Sequence, residues 1–214
     1  ALVEAGQLDE AEELAGVGYE VAVADAVPIA QIWFAVMLGK AAGLRGRMDE
    51  SRRWYQEGAS TARLHGFRGP LSGALAGLAV AEATLGRATE AAHAIDEYRT
   101  LPPFPFFGHD HAIGIAWSQW ANGDPRGART TLLAEADLAY EGHHNGSAGW
   151  LWHDASRLGA RGLASKLQAV ADSGDSPVVA ARALHVTAVE ASDEDGLVAA
   201  ADAQRTIRED ALGV

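Results

Sequence analysis

One phrase recurs along this chain at a nearly fixed interval, and few folds satisfy such a pattern. It reads Leu2-Val3-Glu4-Ala5-Gly6-Gln7-Leu8-Asp9-Glu10-Ala11, then Gly43-Leu44-Arg45-Gly46-Arg47-Met48-Asp49-Glu50-Ser51, then Ala83-Thr84-Leu85-Gly86-Arg87-Ala88-Thr89-Glu90-Ala91, then Trp120-Ala121-Asn122-Gly123-Asp124-Pro125-Arg126-Gly127-Ala128. The glycines at 6, 46, 86 and 123 stand 40, 40 and 37 residues apart, each with a small residue five positions later. A period of this length belongs to stacked helical hairpins, in which each unit buries its apolar face only against its neighbours. The 214 residues therefore read as one all-α helical-repeat domain, 1–214, rather than two unrelated folds.

Each glycine closes one helical pattern and precedes the next, the place where a left-handed residue ends a helix and admits a tight turn. The unit is helix, turn, helix. Pro28 opens a first helix to Leu44, carrying Ile29, Ile32, Trp33, Val36 and Met37 at helical spacing, and its partner runs from Asp49 to His65. Gly66-Phe67-Arg68-Gly69-Pro70 then breaks the chain, and Pro70 opens a third unit. Its first helix, Leu71 to Leu85, is built largely of Gly and Ala, which implies either close helix approach or an empty space.

A second helix, Ala88 to Tyr98, ends at Leu101-Pro102-Pro103-Phe104-Pro105-Phe106-Phe107, the one irregular connection, because three prolines preclude regular helix. Helices at Asp110–Ala121 and Pro125–Glu141 form the fourth unit. Ala148–Leu158 and Gly162–Ala171 form a fifth, turning at Gly159. Ser176 is placed to cap a helix from Pro177 to Ala191, and Ser192-Asp193-Glu194 to cap a last one reaching Arg208. Six units result, the first incomplete, since Ala1–Gly6 reads as the tail of a helix that begins upstream in a longer protein.

Charge narrows the function classes. With 17 Lys and Arg against 29 Asp and Glu the net charge is −12, which removes sequence-independent attraction to phosphate backbones, so no direct nucleic-acid binding is expected. There is no cysteine and hence no disulfide framework or thiol nucleophile. No apolar run reaches membrane-spanning length, and no charged-then-apolar leader opens the chain. A cytoplasmic setting without membrane contact is the expectation.

The Gly-x-x-x-Glu-Ala strings at Gly6 and Gly86, with Leu38-Gly39 seven residues before Gly46, resemble the tetratricopeptide repeat, at a period longer than the usual one. Gly43-Leu44-Arg45-Gly46-Arg47, Ala62-Arg63-Leu64, Leu101-Pro102-Pro103 and Leu151-Trp152-His153-Asp154-Ala155-Ser156-Arg157-Leu158-Gly159 look like the helical-repeat region of large ATP-binding LuxR-family regulators of actinobacteria. The resemblance implies a right-handed α-solenoid of tetratricopeptide-like hairpins. It also implies an upstream nucleotide-binding switch domain and a downstream helix-turn-helix domain as adjoining partners in the same chain. ATP is expected only in that upstream domain: the one Gly-Lys pair, Gly39-Lys40, is followed by Ala41 and has Phe34 where a phosphate-cradling loop needs its first glycine.

Catalytic and metal chemistry find little to stand on. His109-Asp110-His111, His143-His144 and His153-Asp154 supply zinc-ligand types, but no His-x-x-x-His pair occurs, and residues two apart on a helix face different ways. The carboxylate runs Glu12-Glu13, Asp49-Glu50 and Asp193-Glu194-Asp195 fall at expected helix starts, where they complement the helix dipole. No Gly-x-Ser-x-Gly elbow is present. The chain is read as non-enzymatic, with no metal and no resident cofactor.

The aromatics are more informative. With the turn glycines aligned, the positions that line the concave side of such an array hold Trp33, Met37 and Lys40 in the second unit and Gly73 and Gly77 in the third. The fourth contributes Asp110, Trp117 and Trp120, and the fifth Trp150, His153 and Arg157. A small-residue floor flanked by tryptophans suits an apolar ligand fixed by a few polar groups. The competing reading is that the aromatics fill space between helices and the small residues permit close packing. Trp54 and Trp152 fall on other faces and are assigned to the core. The Leu101–Phe107 segment is expected to pack down, with a lid or a partner-binding loop as alternatives. The expected function is a sensor and interaction module of a bacterial transcriptional regulator, binding a small apolar effector or a protein segment. The alternative is a protein-interaction scaffold with no small ligand.

Overall fold

The computed structural model describes residues 2–210, and all regular structure among them is helical. The α-helices in chain order are α1 (Leu2–Ala5), α2 (Leu8–Ala24), α3 (Pro28–Leu44), α4 (Met48–His65), α5 (Arg68–Thr84) and α6 (Ala88–Tyr98). A single 3₁₀ turn at Pro105–Phe107 precedes α7 (Gly108–Ala121), α8 (Pro125–Glu141), α9 (Asn145–Arg157), α10 (Ala164–Asp172), α11 (Pro177–Ala191) and α12 (Glu194–Asp210).

The four phrase glycines all adopt the left-handed conformation, with φ of 84° at Gly6, 78° at Gly46, 77° at Gly86 and 83° at Gly123. At each, the glycine N–H donates to the carbonyl three residues back and the next N–H to the carbonyl five residues before it. Gly46 donates to Gly43 at 3.0 Å and Arg47 to Ala42 at 2.9 Å, and Gly86 to Ala83 at 3.1 Å and Arg87 to Glu82 at 2.8 Å. This double closure satisfies carbonyls that a helix C-terminus otherwise leaves orphaned. The same pair of bonds closes the turns at Gly66 and Gly159, and also at three residues that are not glycine: Ala26, His143 and Ser192, with φ of 52°, 61° and 54°.

A side chain held left-handed costs roughly 1–2 kcal/mol. Ala26→Gly is therefore expected to stabilise the protein by about 1 kcal/mol despite the extra unfolded-state freedom, and Gly86→Ala to destabilise it by about as much. Chemical denaturation of the two variants measures both signs.

Several expected starts shift, α7 to Gly108 and α10 to Ala164 among them. α5 begins at Arg68, with Pro70 in its first turn, where a missing N–H removes no helical bond. α9 begins at Asn145 because the turn at His143 has already closed α8 and the His144 carbonyl accepts from Ala148 at 3.0 Å. Glu12 and Glu13 lie beyond the first turn of α2, which Asp9 and Glu10 occupy instead. Glu12 meets Arg45 at 3.2 Å and Arg47 beside the turn after α3. Ser176 sits at the N-cap of α11 without making a side-chain cap bond. Asp124 and Asp193 do cap, accepting from Gly127 at 2.8 Å and from Gly196 at 3.1 Å.

The chain forms two compact units, one of Glu10–Ala128 and the other of the residues before Glu10 together with those from Arg129 onward. In the first, α3, α4, α5, α6 and α7 pack on their neighbours in sequence, and α5 also packs on α3 and α7. Its core gathers Ile32, Val36, Tyr55, Leu71, Leu75 and Ile95, of which each fully buried aliphatic side chain contributes roughly 1.5–3 kcal/mol. The small residues of α5 and α7 serve close approach: a Cβ on Gly114 would stand 2.9 Å from the Cα of Ala76 and 2.7 Å from its carbonyl oxygen. In the second unit α9, α10, α11 and α12 pack around buried Leu151, Trp152, Leu167 and Val186, and α1 lies against α11.

Candidate functional site

The expected site residues fall into two groups, one in each unit. Within Glu10–Ala128, Trp33, Met37 and Lys40 follow one another at helical spacing on α3, and Asp110, Gly114 and Trp117 do so on α7. Lys40 Nζ meets an Asp110 carboxylate oxygen at 2.9 Å, and α5, which carries Gly73 and Gly77, packs on both α3 and α7. His109 stands 3.7 Å from the same carboxylate.

The floor between them is occupied. The Tyr55 ring, projecting from α4, lies against Gly39 of α3 and covers Gly77 of α5, where an added Cβ would come within 2.1 Å of it. Gly73 is buried. The glycines thus admit a phenol ring and a neighbouring helix, which resolves the choice between close approach and empty space in favour of approach. Tyr55 is almost wholly buried, and burial, reinforced by the Asp110 charge, pushes its hydroxyl well above the usual phenol range.

The aromatic rim is partly open. Trp117 is buried and meets Trp120 edge-on with ring centres 5.9 Å apart, while Trp120 remains 44% exposed. The irregular segment divides its phenylalanines. Phe104 packs down against Gly69 and the core, whereas Phe106 stays 72% exposed with its ring edge-on to Trp33 at 5.1 Å. The Phe107 side chain lies outside the described residues.

In the other unit, Trp150, His153 and Arg157 recur at helical spacing along α9 and meet two residues of α11. The Arg182 guanidinium lies 3.4 Å from the centre of the Trp150 ring, and His153 Nε2 is 3.2 Å from His185 Nδ1. Arg157 donates to Asp154 at 2.9 Å. Burial, then the charges of Arg182, His185 and Arg157, holds the His153 imidazole well below its usual pKa. His185 is lowered too, by burial and then by Arg157. Burial, helped by the Arg157 charge, also brings Arg182 down to about 10, against the pull of Asp154 and Glu4.

Sequence spacing did not reveal Tyr55, Asp154, Arg182 or His185 as site residues. A signal for Arg182 exists: it precedes Ser192 by ten residues, as Ala76 precedes Gly86 and Ile113 precedes Gly123. The left-handed turn at Ser192 carries no glycine to mark that register. The remaining histidines disperse. His111 is buried, 3.1 Å from the Ser72 hydroxyl, and His143 and His144 are exposed. Of the tryptophans assigned to the core, Trp152 is fully buried and Trp54 is half-buried against Tyr19.

No family model matches this chain, and neither a curated protein nor a solved structure matches it at a significant level.

Proposed function

We propose that this chain is the non-enzymatic sensor and interaction module of a bacterial transcriptional regulator, a tetratricopeptide-like α-solenoid working in the cytoplasm. Its first-helix face binds a small effector. The observation that carries this reading is the Lys40–Asp110 ion pair, which joins the α3 side that bears Trp33 and Met37 to the start of α7, the helix that bears Trp117, with Trp120 and Phe106 exposed nearby on α7 and just before it. Aromatic walls with a few polar groups are what such a ligand needs. An effector that prefers one packing of these helices shifts the population toward it, by no more than its difference in affinity for the two states. Adjoining switch and DNA-binding domains of a longer chain would read that shift.

A protein segment is the second occupant to consider, and the scaffold reading rests on it. Capture of a peptide backbone or carboxylate calls for several available cations or amides on the groove. Lys40 is already engaged by Asp110, which favours the small apolar effector. Trp120→Ala tests the site, since this half-exposed ring can be removed without emptying the core. Affinity for aromatic fragments selected by thermal shift is expected to fall at least about fivefold, with the melting temperature within a few degrees of the parent. Unchanged affinity rejects this face as the site.

A further inference from the structure

The α9–α11 cluster carries a buried positive charge that its own surroundings do not fully satisfy. Arg182 is 6% exposed, and its Nη1 is buried without a hydrogen-bond partner. Its guanidinium is held against the Trp150 ring at 3.4 Å, which fixes the plane in which its N–H groups point. Around it stand a second guanidinium, Arg157, and the His153–His185 pair, with two acidic neighbours: Asp154, bonded to Arg157 at 2.9 Å, and Glu4 of α1. Arg157, 42% exposed at its side chain, and the half-buried His185 lie outermost, while Arg182 lies deepest. Removing a guanidinium from water costs several kcal/mol unless an anion and hydrogen bonds compensate it.

We infer that this cluster is a receptor for the oxyanion head, carboxylate or phosphate, of a small molecule. The planar fork of Arg182 takes two oxygens of such a group side by side. Arg157 and His185 guard the approach, and the neutral imidazoles donate or accept as the bound group requires. The inference deepens the sensor reading and rests on it in one respect, that the face of α9 bearing Trp150, His153 and Arg157 meets an effector.

The test is thermal melting of the whole chain in acetate, in inorganic phosphate, and in chloride at matched ionic strength, with Arg182→Met and His185→Ala alongside. At about ten times the dissociation constant, acetate or phosphate is expected to raise the parent's Tm by about 3 °C over chloride. Arg182→Met abolishes that rise, and His185→Ala weakens the affinity at least about threefold. A response to acetate alone assigns a carboxylate ligand, and one to phosphate alone a phosphorylated ligand. If Arg182→Met does not fold, the His185→Ala comparison decides. A rise no larger than chloride gives, or one that survives both substitutions as an adventitious effect, overturns the receptor. A protein that fails here yet still loses fragment affinity on Trp120→Ala loses only the anion site, whereas the opposite pair of results removes only the aromatic face.

Discussion

Gly114→Ala is expected to destabilise the protein by about 2–4 kcal/mol, reversing the usual sign of such a change in a helix. An interior Gly→Ala substitution normally gains up to about 1 kcal/mol from backbone entropy and propensity. At Gly114 the new methyl meets backbone, the Cα and carbonyl oxygen of Ala76, inside 3 Å, and backbone has no rotamer by which to withdraw. α5 and α7 must separate, so the closely packed side chains around the crossing lose contact as well. Gly16→Ala and Gly146→Ala are the matched controls: both are helical, and a Cβ at either meets nothing within 4 Å. Each is expected to be neutral or to stabilise by up to about 1 kcal/mol in urea denaturation. Gly77→Ala should also destabilise, but by less, because the neighbour it meets is the Tyr55 ring rather than backbone. The two positions of that contact should couple by about 1 kcal/mol or more in a double-mutant cycle with Tyr55→Leu.

Trp152→Ala is expected to cost about 3–5 kcal/mol, the range for emptying the site of a large buried aromatic. The ring is 1% exposed, lies 5.3 Å from that of Tyr140, and has Lys166 Nζ 5.0 Å above it. One feature works the other way. Its Nε1 is buried with no hydrogen-bond partner, and leaving such a donor unsatisfied costs roughly 1–3 kcal/mol. Trp152→Phe removes the orphaned N–H while retaining an aromatic ring, and is expected to cost no more than about 1.5 kcal/mol. Equal losses for the Ala and Phe variants would contradict this account of the pocket. Equilibrium denaturation followed by circular dichroism separates the two without reliance on tryptophan emission.

The helices were legible where glycine and proline punctuate them. α3, α6 and α8 begin and end where the sequence pattern places them, because Pro28 and Pro125 fix helix starts and Gly46, Gly86 and Gly123 fix the turns around them. Turns made by residues with side chains carry no such mark. Ala26, His143 and Ser192 repeat the same hydrogen-bonded closure with a left-handed backbone, so the turn forms without the glycine that would mark it in the sequence. Aligning the first helices puts Lys40 and Asp110 on one expected face, and the two meet in an ion pair. Tyr55 was not, because it reaches the face from α4, the second helix of its hairpin, which no first-helix alignment samples. Arg182 and His185 were missed for a related reason: the turn that would have registered α11 with α5 and α7 lacks its glycine.

Nuclear magnetic resonance of the indole N–H groups tests the central claim, a ligand face built on α3 and α7, most directly. Of the six tryptophans, Trp33, Trp117 and Trp120 belong to that face, Trp150 to the α9 cluster and Trp152 to the core, while Trp54 is half-buried against Tyr19. Titration with the aromatic fragments is expected to move the signals of Trp33, Trp117 and Trp120 together, with a common dissociation constant, and to leave those of Trp54 and Trp152 in place. Signals that move at Trp54 or Trp152 while Trp33, Trp117 and Trp120 stay fixed would contradict it.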